Sequence, residues 1–162
     1  MKWIVSFLIV IQSINSYANV KFDMRVEKCT KDEVVVKHVL HAENEKSLHV
    51  YELAMPWSFG DFGVNYNIFY KENDAYKKIR QDYFTSHSVD VLNLGGRKIS
   101  NSVEISRFFG GMRDVLERQD LYVYWTYYLI NQDSSYKKKF EGFFIIPKNC
   151  RFLKGRYGVA FL

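Results

Sequence analysis

The four histidines are the side chains best suited to bind a metal ion or transfer a proton. His38 and His41 are three residues apart in a segment with strand character, so they point to opposite faces of a sheet. His41 and His49 could meet across a predicted hairpin, but two imidazoles fall short of the three or four converging ligands that zinc requires, and His87 lies far along the chain. We therefore predict no metal site and no cofactor.

Nucleophilic and acid–base catalysis have little support in the sequence. The Gly-x-Ser-x-Gly elbow of serine hydrolases is absent. A glycosidase would need two carboxylates that the fold brings together, and Asp61 and Asp90 are candidates with no pattern to favour them. We predict no catalytic residue, and a small secreted hydrolase with a site assembled from scattered residues is the alternative function.

The sequence contains two cysteines, Cys29 and Cys150, near opposite ends of the chain. In an oxidising compartment such a pair predicts a disulfide, and here it would join the first predicted strand to the last. Closing so long a loop would stabilise the fold by roughly 4 to 5 kcal/mol in the chain-entropy account. The competing interpretation is two separate buried thiols.

The first 18 residues have the features of a cleaved signal peptide. Lys2 is followed by an apolar run over 3–11, and the small residues Ser16 and Ala18 suit cleavage after Ala18. An uncleaved anchor helix is the alternative, but the apolar run is shorter than the roughly 20 residues that span a bilayer. We predict a secreted or periplasmic protein with a single domain over 19–162 and no transmembrane segment after cleavage.

The formal net charge of the chain is +5, and its basic residues concentrate in two places. These are 137–139 and the tail with Arg151, Lys154 and Arg156. Basic clusters can attract anionic lipid, polysaccharide or nucleic acid, although most are solvated turns. Export argues against nucleic acid as a partner.

The pattern of apolar residues predicts an all-β sandwich. Residues 121–129 are an uninterrupted aromatic and β-branched run, which indicates a central strand paired on both edges. Residues 43–46 form a polar turn that predicts a hairpin between its flanking strands, and one short helical turn is expected near 112–117. The other strands are predicted over 20–28, 33–42, 47–54, 64–70, 76–84, 89–94, 98–106 and 137–146.

Three segments in this order resemble a known module. They are a strand over 48–57 that ends in Met-Pro-Trp, a leucine-glycine turn at 92–96 that runs into Ser-Asn-Ser-Val-Glu-Ile-Ser at 100–106 and then Phe108, and the aromatic strand over 121–128. The arrangement resembles the small immunoglobulin-like sandwich that precedes the catalytic domain of deuterolysin-type and peptidyl-Lys metalloendopeptidases. The resemblance covers 34–129. It implies a single immunoglobulin-like antiparallel β-sandwich of about 7–9 strands, and no chemistry, because the His-Glu-x-x-His zinc motif is absent.

Aromatic residues are the most unusual part of the composition, with 12 Tyr and 13 Phe. Tyr122, Tyr124 and Tyr128 lie on the second face of the central strand, where they could bind a partner, although ordinary packing of a two-sided sheet is the favoured interpretation. The glycine-containing loop over 57–63 holds the predicted binding residues Trp57, Phe59 and Phe62. In the competing interpretation this loop closes one end of the core.

The predicted function is that of an exported, non-catalytic β-sandwich that binds another protein or a component of the cell envelope. Its partner and its oligomeric state do not follow from the sequence.

Overall fold

A computed structural model describes residues 20–30, 32–43, 46–58, 62–82, 90–133 and 137–150. The predicted all-β fold is confirmed, with nine strands and one short helix, α1 (Met112–Leu116), in these residues. Three 3₁₀ turns lie at Glu52–Ala54, Ile105–Arg107 and Lys148–Cys150. The strands are β1 (Lys21–Cys29), β2 (Val34–His41), β3 (His49–Tyr51), β4 (Asn65–Glu72), β5 (Ala75–Lys78), β6 (Val91–Asn93), β7 (Lys98–Glu104), β8 (Leu121–Ile130) and β9 (Lys137–Ile146).

The strands form two main antiparallel sheets and one short pair. The first sheet has the order β1-β2-β7, the second has the order β5-β4-β8-β9, and β3 pairs with β6. In immunoglobulin terms, the first sheet occupies the places of strands A, B and E, and the second those of C′, C, F and G. β8 is paired on both edges, as the sequence predicted for the central strand.

The two sheets pack face to face through aromatic side chains. The Phe22 ring on β1 lies 5.5 Å from the Trp125 ring and 5.1 Å from the Tyr127 ring, both on β8. The odd-numbered residues of β8, from Leu121 to Leu129, are all buried, because alternation turns them toward the first sheet. Full burial of each large apolar side chain stabilises the fold by roughly 1.5 to 3 kcal/mol before entropy is counted.

The predicted disulfide between Cys29 and Cys150 is present, with Cα atoms 5.4 Å apart. It joins the end of β1 to the turn that follows β9. At the other end of the same two strands, the Lys138 ammonium donates a hydrogen bond to the Val20 carbonyl at 2.7 Å. β1 and β9 belong to different sheets, so these two links hold one side of the sandwich together.

The predicted hairpin across the 43–46 turn is wrong. β2 lies between β1 and β7, and β3 pairs with β6. The Ala42 N–H donates to the Arg97 carbonyl and the Gly96 N–H donates to the Ala42 carbonyl, so the β2–β7 ladder continues into the turn at 94–97. The edge of β2 that β3 would need is therefore already occupied.

Some predicted strands are shorter in the structure. β5 ends at Lys78, and beyond it Gln81 makes only an isolated bridge to Phe109. β3 has three residues because Glu52–Ala54 turns into a 3₁₀ helix. Within the described part of the chain, no helix is long and apolar enough to cross a membrane.

Candidate functional site

The outer faces of the two sheets differ in chemistry. The residues that face outward from the β1-β2-β7 sheet are charged or hydroxylated, except for His41, Val35 and Val39, and none of them is Phe, Tyr or Trp. Some of these side chains are paired with one another: Lys37 lies 3.4 Å from Glu27, and the His41 ring lies 2.8 Å from Asp23. This face is an ordinary solvated surface.

The outer face of the β5-β4-β8-β9 sheet is aromatic. Alternation along β8 turns its even-numbered residues away from the core, and the register places apolar side chains of the neighbouring strands beside them. We call this set the aromatic face. Its members are Phe69, Tyr76, Tyr122, Tyr124, Phe143 and Ile145.

The rings of the aromatic face contact one another across the sheet. Tyr76 packs edge-on against Tyr122 with ring centroids 5.2 Å apart, and Tyr122 stacks with Phe143 at 6.4 Å. Tyr76 is 62% exposed and Phe143 is 47% exposed, so much of this apolar surface is in contact with solvent. Exposed apolar patches of this kind commonly mark interaction sites.

Polar groups border the rings. Lys78 donates to the Asn67 side-chain oxygen at 2.6 Å, and the Tyr124 hydroxyl donates to the Glu141 carboxylate at 2.6 Å. The Lys139 ammonium is 2.6 Å from the same carboxylate. The hydrogen bonds from Lys139 and Tyr124 lower the pKa of Glu141, and the bond to Glu141 raises the pKa of the Tyr124 phenol. Glu141 is thus held as an anion and Tyr124 as a hydrogen-bond donor.

The sequence predicts that Tyr122, Tyr124 and Tyr128 lie on this side of β8, and it favours ordinary packing over a binding surface for them. In the structure Tyr124 is 38% exposed and Tyr128 is 42% exposed, whereas Tyr122 is half-buried between Tyr76 and Phe143. Tyr124 and Tyr128 are therefore partly open to solvent, and the choice between packing and binding for them stays untested. Sequence reasoning missed Tyr76, Phe143 and Ile145 as members of the same surface. The signal in the sequence was the alternation of side chains along β5 and β9. It identifies members of a shared surface only when the order of the strands in the sheet is known.

The loop that holds the predicted binding residues is pinned at its base. The Val64 N–H donates to the Pro56 carbonyl at 3.2 Å, and the Ser58 hydroxyl donates to the Glu52 carbonyl at 2.8 Å. A Cβ at Gly63 would stand 1.6 Å from the Ser58 carbonyl oxygen, so only glycine fits there.

The aromatic residues of this loop have different environments. Trp57 is half-buried and packs against the core, which supports the lid interpretation for this residue. Phe62 is 56% exposed and is available to a partner. Phe59 lies outside the described residues, as does Asp61. A binding role for these three aromatics stays a prediction.

His38 faces the core and His41 faces the outer side of the sheet, in agreement with the opposite faces predicted from their three-residue spacing. Its side chain is fully buried, and its Nε2 lies 2.5 Å from the Tyr66 hydroxyl, which is itself 3.2 Å from the Met24 sulfur. Burial lowers the pKa of His38 to about 4, so the ring is neutral at pH 7. The ring has no access to solvent and is a structural element of the core.

The other chemistry-bearing residues are dispersed. His41 lies on the outer face, His49 is bonded to Ser47, and His87 lies outside the described residues. In the described ranges, no three His, Cys, Asp or Glu side chains are grouped so that they could hold a metal ion. A pocket of about 320 Å³ holds one carboxylate, Asp120, which accepts a hydrogen bond from the Lys148 N–H at 2.7 Å. Asp120 has no second acid beside it among the residues that line this pocket.

Comparison with models of known protein families finds no match for this chain, and comparison with curated proteins finds none either. Interpretation of the site therefore depends on the chemistry of its surfaces. The aromatic face offers exposed rings, hydrogen-bond donors and lysines, which suit binding rather than bond cleavage.

Proposed function

We propose that this chain is an exported, non-catalytic β-sandwich that binds another protein or a component of the cell envelope through the aromatic face. The observation that carries the proposal is the difference between the two outer faces of the same sandwich. One consists mainly of charged and hydroxylated side chains, and the other exposes Tyr76, Tyr124, Phe143 and Ile145. A sheet that needed only solubility would have polar side chains on both outer faces.

Export is supported by two features. The Cys29–Cys150 disulfide is typical of proteins that fold in an oxidising compartment. Residues 1–18, which lie outside the described residues, have the composition of a cleaved leader.

The non-catalytic part of the proposal is supported by where the reactive side chains lie. His38 is buried and neutral, His41 is paired with Asp23, and both thiols are consumed in the disulfide. The resemblance to the accessory module of deuterolysin-type peptidases stays a prediction, and it agrees with this proposal because that module contributes a fold without chemistry.

Site-specific photo-cross-linking in the producing cells tests the proposal. We expect a benzoyl-phenylalanine at position 124 or 143 to give a cross-linked adduct, which mass spectrometry of the recovered protein detects for a protein partner and for a lipid alike. The same residue at position 25 or 100, on the opposite outer face, should give none. Cross-links of equal yield from both faces, or from neither, would contradict the proposal.

A further inference from the structure

We propose that the aromatic face binds the surface of a membrane that contains anionic phospholipid. This inference rests on the proposed function and names the partner of the same surface. Its starting point is the sign and type of the charges around the rings. The strands of this sheet direct Lys71, Lys78, Lys137 and Lys139 to the outer side. Two of these four lysines have a carboxylate partner: Asp74 in the turn after β4 lies 2.9 Å from Lys71, and Glu141 lies 2.6 Å from Lys139.

These cations are lysines, and no arginine occurs within the four strands. Arginine, with its rigid fork of donors, is enriched where a protein surface offers carboxylates at fixed positions, and lysine is depleted from such interfaces. Lysine is a flexible point charge that can follow mobile phosphates. The composition therefore favours lipid headgroups over a protein partner.

The exposed apolar side chains are also of the kind that lies at a membrane interface. Tyr76 and Tyr124 combine an apolar ring with a hydroxyl, and tyrosine is enriched at the headgroup level of membranes. Phe143, which is 47% exposed, and Ile145, which is 43% exposed, add wholly apolar surface. They stand on an open sheet of four strands, roughly 14 Å across at the usual strand spacing, which can lie against a broad surface.

Lysines lie beside the rings at both ends of the sheet. At one end Lys78 pairs with Phe69 and Lys71 with Tyr76, and at the other end Tyr128 pairs with Lys139 and Ile130 with Lys137. The Lys137 ammonium lies 5.3 Å from the centre of the Tyr128 ring. In this arrangement the rings enter the headgroup layer while the ammonium groups at both ends of the sheet reach phosphates.

Vesicle sedimentation tests the proposal on the full mature chain. The probes are vesicles of phosphatidylcholine alone and of phosphatidylcholine with roughly one-third phosphatidylglycerol, at about 0.1 M salt. We expect binding to the anionic vesicles to be about a hundredfold stronger than to the neutral ones, and to weaken as salt is raised.

Three paired variants locate the contact. Tyr76→Ser with Phe143→Ser removes exposed rings, and Lys137→Ser with Lys139→Ser removes charge. Each of these two pairs of substitutions should weaken binding to the anionic vesicles by about tenfold or more without changing the melting temperature by more than a few degrees. Arg25→Ser with Lys98→Ser removes the same charge from the opposite outer face and should change binding by less than about twofold.

Two results would overturn the proposal. One is an absence of binding to the anionic vesicles, and the other is an equal loss in the Arg25/Lys98 pair, which would indicate general attraction of a basic protein. If the vesicles fail while position 143 still cross-links to a protein in cells, the partner is a protein and the proposed function stands. If both experiments fail, the aromatic face is not a binding surface.

Discussion

The indole ring of Trp125 lies directly over Gly142, its partner on the neighbouring strand. A Cβ at position 142 would stand 2.7 Å from Cζ2 and 2.9 Å from Cε2 of the indole. Trp125 is fully buried against Phe22, so the ring has no free space to move into. Cross-strand cover of a glycine by an aromatic ring thus fixes the position of the largest side chain in the core.

Gly142→Ala should therefore destabilise the protein by roughly 1 to 3 kcal/mol through overpacking. Urea unfolding followed by tryptophan fluorescence measures the change. Gly110→Ala is the matched control, because its Cβ would lie 3.7 Å from the nearest atom, a carboxylate oxygen of Asp82. Trp125→Phe should reduce the cost of Gly142→Ala. Equal effects of the two alanines would contradict the clash.

Stability should fall as the pH is lowered through the titration range of His38. Its pKa drops from 6.5 to about 4 on folding because the ring is buried. The native state therefore resists protonation of this ring. The full contribution of neutral His38 to the free energy of unfolding is present above about pH 6.5 and is lost as the pH falls toward 4. The loss amounts to about 3 kcal/mol. Unfolding free energies at pH 7 and pH 5 measure about 2 kcal/mol of this loss, because the remainder falls below pH 5.

The variant His38→Gln separates this effect from the titration of carboxylates. It should be less stable than the wild type at pH 7, because the bond to Tyr66 changes, and its stability should vary less between pH 7 and pH 5. His41→Gln, on the outer face, is the control. A pH dependence that survives in His38→Gln would assign the effect to another group.

Reduction of the disulfide should lower the free energy of unfolding by roughly 2 to 5 kcal/mol. The bond closes a loop of 121 residues in sequence separation and joins β1 to the turn after β9. Urea titrations with and without dithiothreitol give the difference, and Cys29→Ser with Cys150→Ser should reproduce it. Thiol titration of the unfolded, unreduced protein should read close to zero. Two reactive thiols in that assay would refute the prediction.

The two described aromatics of the 57–63 loop should respond differently to truncation. Trp57→Ala should cost roughly 1 to 3 kcal/mol, because Trp57 packs against the core. Phe62→Ala should change stability by less than about 0.5 kcal/mol, because Phe62 is 56% exposed. Thermal unfolding of both variants decides the matter. A large loss for Phe62→Ala would mean that the whole loop is a lid.

Export with cleavage after Ala18 is the remaining prediction. The small residues Ser16 and Ala18 motivate it. Mass spectrometry of the exported protein should find Asn19 at the amino terminus. Recovery of the protein with Met1 still attached would refute it.

The sequence by itself determined the elements whose information is local. Period-two alternation predicted β8 and β9 nearly to the residue, and it assigned Leu121, Val123, Trp125, Tyr127 and Leu129 to one side of a central strand. A count of two cysteines was enough to predict their bond. Such inferences need only neighbouring residues or a closed set of possible partners.

Only the tertiary structure decided which strands are neighbours and which side of a two-sided strand is covered. The 43–46 turn is compatible with a hairpin, yet the edge of β2 is taken by β7, which lies more than fifty residues farther along the chain. Tyr76, Tyr122 and Phe143 come from three different strands and form one surface only in the order β5-β4-β8-β9. Alternation along a strand shows which of its residues share a face. Pairing between distant strands depends on the apolar surface buried by the whole sandwich, which a local sequence pattern does not predict.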